Sequence, residues 1–163
     1  MFAVTNACAV IGAQAIPVRV EARVERGLPR FTIVGMRDND SREARERILC
    51  GLQAIGIEMP LQRVTVSIAP ADLPKAGASF DLPITLAVLA AMGTVPARTV
   101  ELIASHAEIG LDAQLRTVRG TLAAAHVCAG ERWDYLVAPP DSAARAAHAA
   151  RQGAHHQVHV GHH

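Results

Sequence analysis

Apolar residues alternate with polar ones in several stretches of the chain, and this period predicts β-strands. Residues 2–11 and 16–24 form the first two such stretches, and valines alternate with charged side chains in the second. A turn at residues 27–29, rich in Gly and Pro, precedes the apolar run 31–34, so we expect a hairpin there. The alternation at residues 63–68 predicts another strand.

Two segments have the features of helices. Residues 40–55 start with a sequence typical of a capping box and carry apolar residues at helical spacing up to Gly56. Oppositely charged residues four positions apart predict a solvated outer face for this helix: Arg42 with Glu46, and Glu43 with Arg47. A second helix should begin at Asp81, capped by that side chain, and end at Gly93. It is apolar all round, so it belongs in the core.

The second half of the chain alternates short strands and helices. Strands are expected at 107–111, 114–118, 135–138 and 157–160, and helices at 121–129 and 142–149. Since this order is mixed rather than strictly βαβ, we predict an α/β (α+β) fold with a mixed sheet packed with helices. The length of 163 residues suits one domain.

Composition narrows the classes of function. The formal net charge is +1, with one lysine, Lys75, and no run of basic residues. The few aromatics and the interleaved acids do not favour autonomous nucleic-acid binding. Three cysteines without C-x-x-C spacing suggest a reducing compartment. No basic leader or bilayer-length apolar run is present, so we expect a cytoplasmic protein with no membrane partner.

Several motifs then resemble one known family, the ComM/YifB family of magnesium-chelatase-like AAA+ ATPases. The matching segments are Gly27-Leu28-Pro29, Phe31 to Gly35, Arg42 to Arg47, Ala69 to Lys75, Gly77, Phe80 to Pro83, and Arg119-Gly120. The resemblance implies the family's N-terminal domain, which is Lon-protease-like (ChlI-like) with a ribosomal protein S5 domain 2-like fold. The chain departs from the family where Gly35-Met36-Arg37 replaces the usual Gly-Leu-Pro.

The resemblance also sets expectations for a longer parent. Residues 1–153 should form the Lon-protease-like domain, and the His-rich residues 154–163 a terminal strand or tail cut before an AAA+ module. Such a parent would be a homo-hexameric DNA branch-migration helicase in natural transformation, with ATP and Mg²⁺ held by the AAA+ module. The chain itself has no G-x-x-x-x-G-K-S/T motif, since its single lysine follows Pro74. We therefore expect no cofactor in this chain and a non-catalytic role in oligomer architecture or in recruiting a partner or DNA.

One alternative is a residual Lon-type serine peptidase. The resemblance places Ser79 at the nucleophile position and Leu122 where the family's lysine base would lie, and leucine cannot accept a proton. Lys75, His106 and His126 are the other conceivable bases. Otherwise Ser79 helps to start the following helix, while Lys75 is solvated or contacts a neighbouring domain.

Weaker sequence patterns suggest further candidate site residues. The loop Asp72, Pro74, Lys75, Gly77, Ser79 and Asp81 carries the family motif, and Asp72 and Asp81 have a spacing that could hold Mg²⁺. Turn formation and helix capping explain these two aspartates more simply. His155 and His159 would share a face of a strand, as metal ligation requires, although an exposed terminus is the simpler interpretation. A stand-alone nucleic-acid-binding module is the remaining alternative.

Overall fold

A computed structural model describes residues 1–153 of the chain. Its elements are β1 (Phe2–Ile11), β2 (Gln14–Glu25), β3 (Arg30–Val34), α1 (Asp38–Ala54), β4 (Arg63–Ala69), α2 (Asp81–Ala91), α3 (Ala97–Glu101), β5 (Ile103–Ser105), β6 (Glu108–Ile109), β7 (Leu115–Arg116), α4 (Thr121–Gly130), β8 (Tyr135–Val137) and α5 (Pro140–Gly153). No helix in the described part is long and apolar enough to cross a membrane. The strand expected at 157–160 and the His-rich tail lie outside the described residues.

Six strands form one mixed sheet in the order β3-β4-β2-β1-β5-β8. β1 and β2 make an antiparallel hairpin, and β2 also pairs antiparallel with β4. The pairs β3–β4, β1–β5 and β5–β8 are parallel. The predicted α/β fold with a mixed sheet is therefore confirmed.

The prediction of a hairpin around residues 27–29 is wrong. β4 occupies the edge of β2, and β3 pairs with the far side of β4 in parallel. Parallel neighbours need a crossover rather than a tight turn, and α1 supplies it between β3 and β4.

One face of the sheet holds the main core. Side chains that alternate along β2 and β4, such as Val20, Ala22 and Val66, are fully buried there beneath α1 and α2. α2 is buried at almost every position, as its apolar circumference predicts. α4 covers part of the opposite face, where Cys8 packs with Ala124.

The sequence pattern does not indicate α3 or β5, although β5 lies inside the sheet between β1 and β8. β5 has only three residues, too few for a period to be visible. Side chains of β1 hold this region in place: Thr5 Oγ1 donates to the Val100 carbonyl at 2.7 Å, and Asn6 Nδ2 donates to the Ile103 carbonyl at 2.9 Å.

Candidate functional site

The motif loop joins the end of β4 to the start of α2 and includes the single lysine. Lys75 is only 3% exposed, and its ammonium donates to the Pro70 carbonyl within the same loop. Burial lowers the pKa of Lys75, while the nearby Asp72 opposes that shift. Lys75 thus lies against its own loop rather than in solvent, and it donates one of its three ammonium N–H groups to that carbonyl.

Asp81 is fully buried and forms an ion pair with Arg47 of α1. Its Oδ2 accepts from Arg47 Nε at 2.7 Å and from the Ile109 amide at 3.1 Å, and its Oδ1 accepts from Arg47 Nη2 at 3.0 Å. Burial raises the pKa of Asp81, while the hydrogen bonds from Arg47 and Ile109 lower it.

This pair corrects two expectations. The N-cap of α2 is Phe80, without a side-chain capping bond, so Asp81 does not cap the helix. The Arg47 side chain is 20% exposed and is 3.9 Å from Glu43, so it faces the core as well as the outer face. Both corrections have one cause: the guanidinium fork of Arg47 binds the buried carboxylate in a bidentate manner.

Ser79 lines a cleft of about 350 Å³. Its side chain is half-buried, and its hydroxyl makes no hydrogen bond within residues 1–153. The backbone amides of Gly77, Ala78 and Ser79 also lack an intramolecular acceptor in that range. Two charged residues, Glu108 and Arg119, also line this cleft.

The structure brings together two motif segments that are far apart in the sequence. Arg119 and Gly120 lie next to the Ser79 loop because residues 106 and 107 connect the two: His106 Nε2 donates to the Arg119 carbonyl at 3.0 Å, and the Ala107 amide donates to the Ser79 carbonyl at 3.3 Å. Gly120 has a φ of 96°, and a Cβ there would approach Val10 Cγ2 to 2.5 Å. Only glycine fits this close approach.

No candidate base is hydrogen-bonded to Ser79 within the described part of the chain. His106 is 1% exposed, with Nδ1 unpartnered, and burial lowers its pKa while the Arg119 carbonyl opposes that shift. His126 and Leu122 line a neighbouring cleft of about 610 Å³ beside α4 that does not include Ser79. Lys75 is bonded to Pro70.

The aspartates do not assemble a metal site. Asp72 is exposed, whereas the carboxylate of Asp81 is occupied by Arg47 and the Ile109 amide. Among residues 1–153, no group of three His, Cys, Asp or Glu side chains could hold a metal ion. His155 and His159 lie outside this range.

Sequence reasoning missed Arg47 as the partner of Asp81, and Glu108 and Arg119 as neighbours of Ser79. The sequence did contain a signal for a partner of Asp81. This residue opens an otherwise apolar helix, and a buried carboxylate there would need a cationic partner. No local sequence pattern indicates that Glu108 and Arg119 lie near Ser79, since this proximity depends on how β5 and β6 pass the loop.

Comparison with known proteins places these motifs in a family. Residues 20–142 match the family described as subunit ChlI of Mg-chelatase. The uncharacterised protein YifB of Salmonella typhimurium is 37% identical over 123 residues, which are 76% of this chain and 24% of that protein. YifB of Escherichia coli is 38% identical over 117 residues, 72% of this chain and 23% of that protein.

Competence protein ComM of Haemophilus influenzae is 38% identical over 122 residues, 75% of this chain and 24% of ComM. The aligned region thus spans about a quarter of the length of each of these relatives. The chain belongs to the Mg-chelatase ChlI family, with YifB and ComM among its relatives.

Proposed function

We propose that this chain is a non-catalytic domain of a ComM/YifB-like AAA+ ATPase. In this role it supports the architecture of a homo-hexamer, or recruits DNA or a partner protein, in the cytoplasm. ATP and Mg²⁺ would be bound by a separate module of the parent, and the parent would drive DNA branch migration during natural transformation.

The observation that supports this proposal best is the environment of Lys75. A Ser/Lys dyad requires the amine within hydrogen-bond reach of the hydroxyl. Here the ammonium is buried against the Pro70 carbonyl, while Ser79 opens onto a cleft with no base bonded to it in residues 1–153. The depressed pKa of Lys75 alone does not make it a base for Ser79.

A peptidase assay tests the absence of catalysis. The chain is incubated with an unstructured protein substrate beside the variants Ser79→Ala and Lys75→Met. We expect no turnover above the Ser79→Ala background for the native chain. Turnover that both substitutions abolish would refute the non-catalytic role and support the residual peptidase.

The parent's identity is tested at the level of the gene. Reading the coding frame onward from His163 should reveal a G-x-x-x-x-G-K-S/T motif, because a phosphate-binding loop needs those residues. If the frame contains this motif, deletion of residues 1–153 from the longer protein should impair hexamer assembly or DNA recruitment, while nucleotide binding persists. A frame that stops without this motif would contradict the proposal.

A further inference from the structure

The cleft beside Ser79, called here the polar cleft, adjoins a second cleft of about 610 Å³, called here the apolar cleft. Val10, Gly12 and Arg119 line both of them. The walls of the apolar cleft are mostly aliphatic residues from the end of the β1–β2 hairpin and from α4, namely Val10, Ala13, Ala15, Leu122, Ala123 and Val127. Ligand pockets have volumes of about 300–1,000 Å³ and mainly apolar walls. The apolar cleft meets both conditions, and its Leu122 is 59% exposed.

The polar cleft offers donors for one negatively charged group. The consecutive amides of Gly77, Ala78 and Ser79 have no acceptor within residues 1–153, and Gly77 has a φ of 84°. Successive amides around a left-handed residue form a concavity that binds anions. Arg119 is exposed and forms no ion pair in that range, so its guanidinium is free to bind a carboxylate.

The end of β1 offers hydrogen bonds to an extended backbone. Met1 and Val24 exchange hydrogen bonds of 2.7 and 2.8 Å, and the antiparallel alternation then directs the N–H and C=O of Val10 away from β2. On that side, β5 pairs with β1 only at Asn6 and Ala104 in the described residues. Both backbone groups of Val10 therefore lack a partner within residues 1–153, at a position that lines both clefts. An unpaired strand edge of this kind binds peptides as an added strand.

We propose that this pair of clefts binds the free C-terminus of a partner polypeptide that ends in an aliphatic residue. The side chain and the carboxylate of a terminal residue leave the same Cα, so their site must place an apolar pocket directly beside an anion site. Arg119 lies at this boundary, with the amides of residues 77–79 in one cleft and Leu122 in the other. Backbone concavities capture C-terminal carboxylates, and the preceding peptide backbone pairs with Val10. The proposal rests on the proposed recruiting role, for which it names the chemistry of the partner.

Glu108 also lines the polar cleft and limits the anion that fits there. Its register partner on β7 is the exposed Arg116, and no ion pair joins the two in the described residues. Like charges brought together cost binding energy, and a phosphate monoester carries more negative charge than a carboxylate. Glu108 therefore favours a carboxylate as the ligand of Arg119 and disfavours a phosphate monoester.

Amide chemical shifts of the full chain, measured by NMR, test the proposal. The probe is a short peptide of glycine and serine that ends in Ala-Leu with a free carboxylate. It should shift the amide resonances of Val10, Gly77, Ala78 and Ser79. Converting its terminal carboxylate to an amide should weaken binding about tenfold or more, because a charged hydrogen bond is lost. Replacing its leucine by glycine should weaken binding roughly 10- to 100-fold, since no apolar side chain is buried.

Two variants of the protein test the two halves of the site. Arg119→Gln should weaken binding of the free peptide about 5- to 30-fold and leave binding of the amidated peptide unchanged. The matched control Arg132→Gln removes an exposed arginine beyond the end of α4 and should change the affinity by less than about twofold. Ala123→Leu keeps a good helix former and fills the apolar cleft, so it should remove the preference for leucine over glycine at the peptide end.

The proposal fails if the amidated peptide binds as well as the free one, or if Arg132→Gln weakens binding as much as Arg119→Gln. It also fails if N-acetylleucine or a single-stranded oligonucleotide competes as well as the peptide itself, which would indicate a small-molecule or nucleic-acid site. Mass spectrometry of the peptide separates these failures from failure of the proposed function. An intact peptide that does not bind overturns only the C-terminus site, whereas a cleaved peptide overturns the non-catalytic role on which it rests.

Discussion

The buried Asp81–Arg47 pair gives the sharpest prediction for stability. Replacing Arg47 by Met keeps an unbranched side chain of similar length but leaves a fully buried carboxylate with only the Ile109 amide. Removing one partner of a buried pair costs about 3 to 5 kcal/mol. For a chain of this size that corresponds to a fall in Tm of roughly 6 to 20 °C. The matched control is Arg42→Met, on the exposed side of the same helix, which should cost less than about 0.5 kcal/mol.

The pH dependence separates this explanation from lost packing. Without Arg47, the pKa of Asp81 rises further, because Arg47 now lowers it. A carboxyl whose folded-state pKa is raised contributes stability below its unfolded pKa and loses it as pH rises through the folded value. The cost of Arg47→Met, measured by urea denaturation, should therefore shrink from pH 7 towards pH 5. A cost below about 1 kcal/mol, or one that does not vary with pH, would refute the reasoning.

Two further predictions concern His106 and Gly35. Burial lowers the pKa of His106, so its contribution to stability is present above the unfolded pKa of about 6.5 and is lost as pH falls through the folded value. The variant His106→Gln can still donate to the Arg119 carbonyl. Its free energy of unfolding, measured by denaturation, should fall less steeply as pH is lowered than that of the native chain. An unchanged dependence on pH would contradict this. Gly35 has a φ of 93°, and a Cβ there would overlap the Ile68 carbonyl, so Gly35→Ala should cost about 3 to 5 kcal/mol. Gly56→Ala, at a φ of 77° with open space around it, should cost only about 1 to 2 kcal/mol by chemical denaturation, and equal costs would count against the overlap.

Periodicity predicted those parts of the fold whose signal is local. The alternation in β2 and β4 and the apolar circumference of α2 each reflect burial along one element, which the sequence records directly. The position of β3 beside β4 depends on pairing between distant strands, and no local pattern encodes it.

For the candidate site, too, the sequence indicated some features and not others. The motif loop was found from its resemblance to the family, but the contacts of its charged residues were not, because each contact is made after folding. Lys75 turns back to Pro70, and Asp81 binds Arg47. Arg47 itself was expected on a solvated face, since spacing within one helix reveals neighbours four residues away but not a helix packed behind it.

The charged residues of the motif loop make structural contacts that do not depend on any reaction. The charged residues that make the loop resemble its family are also those that hold it in place: Lys75 satisfies a loop carbonyl, and Asp81 joins α2 to both α1 and the Ile109 amide. Replacing Asp81 leaves the buried Ile109 amide without its acceptor and Arg47 without its bidentate partner, which carries a cost in stability whether or not any reaction takes place. Ser79 is different, because it lines the cleft and its hydroxyl has no hydrogen-bond partner in the described residues. Ser79→Ala should therefore leave stability almost unchanged, so any effect of that substitution in the longer protein would report on function rather than on folding.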